Sequence, residues 1–200
     1  MKYSLPYAIV IVICLVIFLS AHQQSNRFDI EQLFNNQPAV DLFSPNDNIR
    51  NALVDFIGKE KKHIKIAMYY LADTVILKAL QDAIQKRNII VDIIVDPTCP
   101  ARGIESIHRD AHVHIYNIKS GIMHHKFILF CGLKVLGEGS YNFTYSAQNK
   151  NRENFSFYHG KKKNEFCHQK YLHFSKRFDY LLESCSDYEP GRLIGKEVHC

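Results

Sequence analysis

The sequence predicts an α/β domain in which helices flank a mixed, mainly parallel central sheet. Two observations carry this. From Ala39 to Val95, segments of strand periodicity and of helical periodicity follow one another as strand, helix, strand, helix, strand, an alternation that builds parallel strands with right-handed crossovers. The last of these, Ile89 to Val95, is almost wholly apolar and β-branched, as a central strand covered on both faces requires.

Taken in order, Ala39 to Phe43 reads as the first strand, closed by Ser44-Pro45. Asn46 or Asp47 can cap a helix whose apolar positions Ile49, Leu53, Phe56 and Ile57 recur at helical spacing and which ends near Gly58. Lys59 to His63 reads as a solvated charged connection. His63 to Tyr70 is the second strand, with Ile64, Ile66 and Met68 alternating against Lys65 and Ala67. Asp73 or Thr74 opens a second helix with Ile76, Leu77, Leu80 and Ile84 on one face. Between Cys99 and Ile118 the pattern supports a short helix, Ile104 to Asp110, and a short strand, Val113 to Tyr116.

Phe127 to Phe130 forms a buried strand and Lys134 to Leu136 another, across a turn at Cys131-Gly132. One helical turn at Tyr145 to Asn149 and a strand at Asn154 to Tyr158 follow. The basic run Lys161 to Lys163 precedes a helix from Asn164 to Leu182. Its apolar face, with Phe166, Tyr171, Phe174, Phe178 and Leu181, is that of a core helix more than of a base-stacking platform.

The chain has 200 residues and a formal net charge of +5 with 11 histidines, which fits one domain and leans towards anionic partners. Residues 1–21 carry Lys2, an apolar run from Ala8 to Leu19 and then Ser20-Ala21. The run is shorter than the ~20 residues that span a bilayer comfortably, so a cleaved signal peptide is expected, with an uncleaved N-terminal anchor as the alternative. Residues 22–38 form a polar linker, 39–185 the domain, and 186–200 a polar, poorly ordered tail. The protein is accordingly expected to be secreted or periplasmic, or else held at a membrane by its N-terminal segment.

Of six cysteines, Cys14 lies in the N-terminal apolar run, leaving Cys99, Cys131, Cys167, Cys185 and Cys200. There is no C-x-x-C pair, so a zinc ribbon is not indicated. His108, His112 and His114 could converge on one ion, but no carboxylate or cysteine is suitably spaced, so they read as ordinary surface histidines and no metal ligand is assigned.

The densest chemistry lies between Met123 and Phe155. His124 and Lys126 stand two apart, so on a strand they share a face. Gly139-Ser140-x-Asn142 and then Glu153 follow in order. A neutral imidazole can attack phosphorus, and an ammonium beside it can hold the negative phosphate oxygens without a metal. Ser140 and Asn142 supply short hydrogen-bonding side chains for the same oxygens. The set suits a phosphodiester. His125, on the opposite strand face, reads as structural.

These residues resemble the HxKx4Dx6GSxN signature of the phospholipase D superfamily, and the likeness extends across most of the mature chain. Two departures stand out. Cys131 occupies the Asp position, and the spacing from there to Gly139 is one residue longer; both fall in the turn between two strands. In the family this Asp supports the loop, so its loss bears on loop geometry more than on chemistry.

The resemblance implies a phospholipase D-like domain and an enzyme, a metal-independent phosphodiesterase, with no cofactor. Its catalytic residues would be His124, Lys126, Asn142 and Glu153, with Ser140 and Gly139 binding substrate. The small secreted endonucleases with one motif per chain are nearest, implying a non-specific nuclease on DNA or RNA, while the mitochondrial cardiolipin hydrolases imply a lipid phosphodiesterase as the alternative. A catalytically inactive module that binds phosphate backbones is a third reading. H-x-K also occurs at His63, His159 and His168, but only His124-x-Lys126 is followed close to the motif's spacing by G-S-x-N, so the chain carries one such motif, and the resemblance implies a homodimer that shares one site. One His124 would become a phosphohistidine and the other would act as acid and base. Glu153 would accept a hydrogen bond from a motif histidine.

Overall fold

The computed structural model describes residues 33–117, 120–161 and 164–190. The expected signal peptide or anchor, residues 22–32 of the linker, Lys162 and Lys163 of the basic run, and the tail beyond residue 190 with Cys200 lie outside the described residues.

Thirteen elements follow in order: β1 Ala39–Ser44, α1 Ile49–Lys59, β2 His63–Met68, α2 Thr74–Arg87, β3 Ile90–Val95, α3 Ala101–Ile107, β4 His112–Tyr116, β5 Lys126–Phe130, β6 Val135–Gly139, α4 Tyr145–Asn149, β7 Glu153–His159, α5 Glu165–Leu182 and β8 Cys185–Asp187. The strands form one eight-stranded sheet in the order β1-β7-β6-β5-β2-β3-β4-β8. Its mixed character and flanking helices are as expected, but it is mostly antiparallel. Among the described strands, only β2–β3 and β3–β4 pair in parallel. The helical crossovers stop at β4, and the short turn after Phe130 returns the chain as a hairpin, which pairs antiparallel.

Strand alternation gives the sheet two apolar faces. Ile64, Ile66 and Met68 of β2 pack with Leu53, Phe56, Leu77 and Leu80 of α1 and α2. Ala67, Ile94, Phe127 and Leu129 face the other way, against Tyr171, Phe178 and Leu181 of α5. On α5, Phe174 is partly buried in the same cluster, while Phe166 is 69% exposed and lies outside the core predicted for it. Helix ends carry side-chain caps. Asn48, not Asn46 or Asp47, accepts from Asn51 N–H at the start of α1, and Asp73 accepts from Val75 and Ile76 N–H at the start of α2.

The sheet extends beyond the boundary read at residue 185. Ser186 and Asp187 belong to β8, which pairs antiparallel with the edge of β4. Cys99, Cys131, Cys167 and Cys185 are free thiols. Among the described residues, no helix is long and apolar enough to cross a membrane.

The histidines considered as metal ligands serve this sheet edge. His63 Nε2 lies 2.5 Å from Asp92 Oδ2, and His112 Nδ1 and His114 Nε2 lie 3.1 and 3.4 Å from Oδ1. His114 Nδ1 is 3.0 Å from Asp187 of β8. His108 instead caps its own helix turn through Glu105 O. Among the described residues, no group of histidine, cysteine or carboxylate side chains is arranged to hold a metal.

Burial would raise the Asp92 carboxyl, but hydrogen bonds from His114, His63 and His112 outweigh it and hold the group far below the usual range. The bond to Asp92 raises His114 against burial, and Asp187 adds to the effect. Stability from a raised histidine is full below its unfolded pKa and lost as pH rises through the folded one. Stability from a depressed carboxylate is present above its unfolded pKa and lost as pH falls through the folded one. The cluster therefore contributes most between the ordinary carboxylate and histidine ranges, roughly pH 4 to 6.5. Urea titrations across pH should show His114→Asn removing the mildly acidic excess of stability. An unchanged pH dependence would contradict this coupling.

Candidate active site

The residues between Met123 and Glu153 meet at one end of the sheet, where β2 and β3 end and β5 begins. Lys126 opens β5 opposite Met68, the last residue of β2. Phe127 pairs with Glu138, which brings the end of β6, at Gly139, alongside the start of β5. Gly139 in turn pairs with Phe155 near the start of β7, two residues from Glu153. The carboxyl ends of adjoining parallel strands form a natural crevice.

His124 precedes the strand instead of lying on it, so shared strand parity is not what brings it to Lys126. The chain turns back locally: Lys126 Nζ donates to the carbonyl oxygen of His124 at 2.9 Å, and both side chains meet the ring of Tyr69. His124 is exposed, with its ring centroid 4.6 Å from that of Tyr69. Lys126 is buried, with its ammonium 5.3 Å from the same ring. His125 faces elsewhere, edge-on to Phe127 and accepting from Arg177 Nε at 3.1 Å, the structural role expected of it.

Electrostatics favour a nucleophile at His124. Packing desolvates the imidazole, and the neighbouring Lys126 charge acts in the same direction, so its pKa lies below the ordinary histidine value against a weaker pull from Asp96. Burial likewise lowers the Lys126 ammonium, opposed by Glu153. A neutral imidazole thus stands beside a confined cation.

The Gly139-Ser140-x-Asn142 segment is fixed by backbone geometry. A Cβ on Gly139 would stand 2.2 Å from Asn154 O and 2.9 Å from Phe155 Cα, so no larger residue fits without moving β7. Ser140 Oγ donates to Glu153 Oε2 at 2.5 Å and accepts from Asn154 N–H at 3.1 Å. Asn142 Oδ1 accepts from Tyr70 N–H at 3.2 Å, so its donating capacity towards a ligand oxygen lies on the amide nitrogen. Glu153 also accepts from Asn151 Nδ2 at 2.9 Å. The expected partner of Glu153 was a motif histidine. Within the chain its two oxygens are instead taken by Ser140 and Asn151, and no hydrogen bond joins it to His124 among the described residues.

Three residues that sequence reasoning passed over support the site. Asp96, buried at the end of β3, accepts from Met123 N–H at 2.6 Å and from Thr98 N–H and Oγ at 2.8 and 2.6 Å, tying the His124 loop to the sheet. Tyr69 N–H donates to His125 O at 3.0 Å. Both residues follow the carboxyl ends of parallel strands, a position that itself signals a site.

The third is Glu60, read as solvated but fully buried. Its carboxylate accepts from Gly132 and Leu133 N–H across the β5–β6 turn and from Lys61 and Lys62 N–H. It braces the turn in which the motif's Asp is replaced by Cys131. Burial raises the Cys131 thiol, which disfavours the reactive thiolate.

A family model described as cardiolipin synthase, PLD-like domain, matches residues 53–181. The chain is 30% identical over 131 residues to a protein named phospholipase D from Rickettsia bellii, a match spanning 64% of this chain and 64% of that relative's length. It is 29% identical over 140 residues to a phospholipase D from Rickettsia prowazekii, covering 68% and 67% of the two chains.

Among solved structures, a phospholipase D family member, Nuc from Salmonella typhimurium, superposes with a TM-score of 0.65 at 23% identity over 76% of this chain and 97% of that one. NucT from Helicobacter pylori gives 0.65 at 21% identity over 75% and 98%. At these identities the likeness to the solved structures is one of fold.

Proposed function

Because this chain belongs to the phospholipase D superfamily of phosphodiesterases through its PLD-like domain, we propose that it hydrolyses DNA or RNA without sequence preference, by a metal-independent route through a phosphohistidine on His124. The observation that carries this reading is the exposed imidazole, held below its ordinary pKa beside the buried Lys126 ammonium. Lys126 supplies the positive charge that phosphate oxygens require during displacement. Asn142 and Ser140 line the same crevice, and Gly139 allows β7 to approach. Glu153 holds Ser140 in place and offsets the Lys126 charge.

Displacement at phosphorus needs a nucleophile on one side and an acid on the other. One chain offers one such histidine, so we infer a homodimer in which two chains pair about a twofold axis and share the site. A nitrogen of one His124 forms a bond to phosphorus as the P–O bond to the leaving group breaks, and the partner's His124 donates its proton to the departing oxygen. Water then attacks phosphorus and gives a proton to the partner's His124 as the P–N bond breaks, which restores both imidazoles.

The net charge of +5 supports nucleic acid as the substrate. A lipid phosphodiester is the second reading. It is favoured by the relatives named phospholipase D and by Ile122, 49% exposed two residues before His124, which could meet acyl chains.

Plasmid DNA, RNA and labelled phospholipid vesicles, each incubated with the full chain in excess chelator, test the proposal. Nucleic acid should be cut and lipid left intact. Cleavage of lipid alone would favour the second reading, and loss of activity on chelation would overturn the metal-independent route. Binding to nucleic acid with no hydrolysis would indicate an inactive module.

A further inference from the structure

The dipeptide after β2 joins the two halves of the motif. Tyr69 N–H donates to His125 O at 3.0 Å, between the two residues of the His124–Lys126 half. Tyr70 N–H donates to Asn142 Oδ1 at 3.2 Å and Tyr70 O accepts from Phe143 N–H at 3.1 Å, in the other half. The side chain of Tyr69 continues what its backbone begins. Its ring stacks on that of Tyr70 with centroids 4.2 Å apart and planes at 14°. The imidazole of His124 leans on it at 58°, 4.6 Å between centroids, and the Lys126 ammonium lies 5.3 Å from its centroid.

An exposed imidazole with no hydrogen bond to either ring nitrogen among the described residues has nothing polar to fix its χ angles. A flat wall on one side does so by contact, and the negative π face attracts the ammonium that must stand beside it. The stack on Tyr70 keeps the wall from rotating away.

We propose that Tyr69 is a positioning residue for phosphoryl transfer, orienting the His124 imidazole towards phosphorus and aiming the Lys126 ammonium through the face of its ring. The proposal rests on His124 as the nucleophile and assigns the ring, not the phenolic hydroxyl, as the working part. Small displacements of a reacting group cost on the order of 100-fold in rate, so the effect falls on kcat and leaves substrate binding nearly intact.

Tyr69→Phe and Tyr69→Leu, made in the full chain, test it by two readouts. The first needs no turnover: the ring-proton NMR signals of His124, assigned by their absence in His124→Ala, carry a ring-current shift from Tyr69. That shift should persist in Tyr69→Phe and vanish in Tyr69→Leu. The second is kinetic: Tyr69→Phe should stay within about 2-fold of wild type, and Tyr69→Leu should lose about 10- to 100-fold in kcat with KM within about 3-fold.

A Tyr69→Leu enzyme with unchanged kcat, or a loss confined to KM, overturns the proposal. So does a Tyr69→Phe enzyme that loses more than about 10-fold, which also decides the matter should the leucine variant fold poorly. An inactive wild type in which the ring-current shift behaves as described would sink the hydrolase reading instead, leaving the contact itself established.

Discussion

Replacing His124 by alanine is expected to abolish hydrolysis, lowering kcat by at least ~10⁴-fold, the scale on which removal of a covalent nucleophile acts. The fold should survive, because the side chain is exposed and, among the described residues, its ring contact is with Tyr69. Unchanged thermal unfolding alongside lost turnover separates the chemical role from a structural one. In the proposed dimer the same residue has two duties, so wild-type and His124→Ala chains mixed and reassociated should give inactive heterodimers. Activity should fall with the square of the wild-type fraction instead of in proportion to it. Proportional loss would place a complete site in each chain.

Replacing Glu60 by alanine is expected to cost about 3–5 kcal/mol, since it withdraws one buried carboxylate from four backbone N–H groups and leaves those of the turn without their charged acceptor. Against a total of about 5–15 kcal/mol for a domain, that is a large share. Thermal unfolding should move down on the order of 10 °C.

Restoring the motif residue beside an intact Glu60 should not stabilise the turn. In Cys131→Asp the new carboxylate would be partly buried close to Glu60, and burial and the Glu60 charge already disfavour ionisation of the Cys131 thiol, so this variant should itself destabilise the chain. Cys131→Asp combined with Glu60→Gln should recover part of the loss, because one negative charge then serves the turn. A Glu60→Ala chain as stable as wild type would show that the turn needs no carboxylate.

Much of the fold was legible because its elements carry local signals. The helices at Ile49–Lys59 and Thr74–Arg87 announce themselves by apolar spacing, and Ile90–Val95 by its β-branched run. Strand direction is not local in the same way. The βαβ rhythm up to Val95 suggested a mainly parallel sheet, yet the hairpins that join Phe130 to Val135 and bring β7 alongside β6 make most pairings antiparallel. The three-residue β8 has a polar sequence without periodicity and exists because β4 offers an open edge.

The site divides along the same line. His124, Lys126, Gly139, Ser140, Asn142 and Glu153 could be picked out by type and spacing. What holds them could not. Glu60 reaches its turn partners 72 and 73 residues away, Asp96 grips Met123 across 27 residues, and Tyr69 meets His124 only once β2 lies beside β5. Charged residues in a polar connection are usually solvated, and nothing in the local sequence around Glu60 marks it as the exception.

The most direct measurement is to quench the reaction of the full chain with a nucleic acid carrying labelled phosphorus throughout its backbone during turnover and to map any label bound covalently to protein. A phosphohistidine is labile in acid and stable in base, so the quench should be alkaline. The predicted result is label on a single peptide containing His124, present in excess chelator and missing from the His124→Ala chain. Rapid hydrolysis with no label at His124, or label on another residue, would contradict the account.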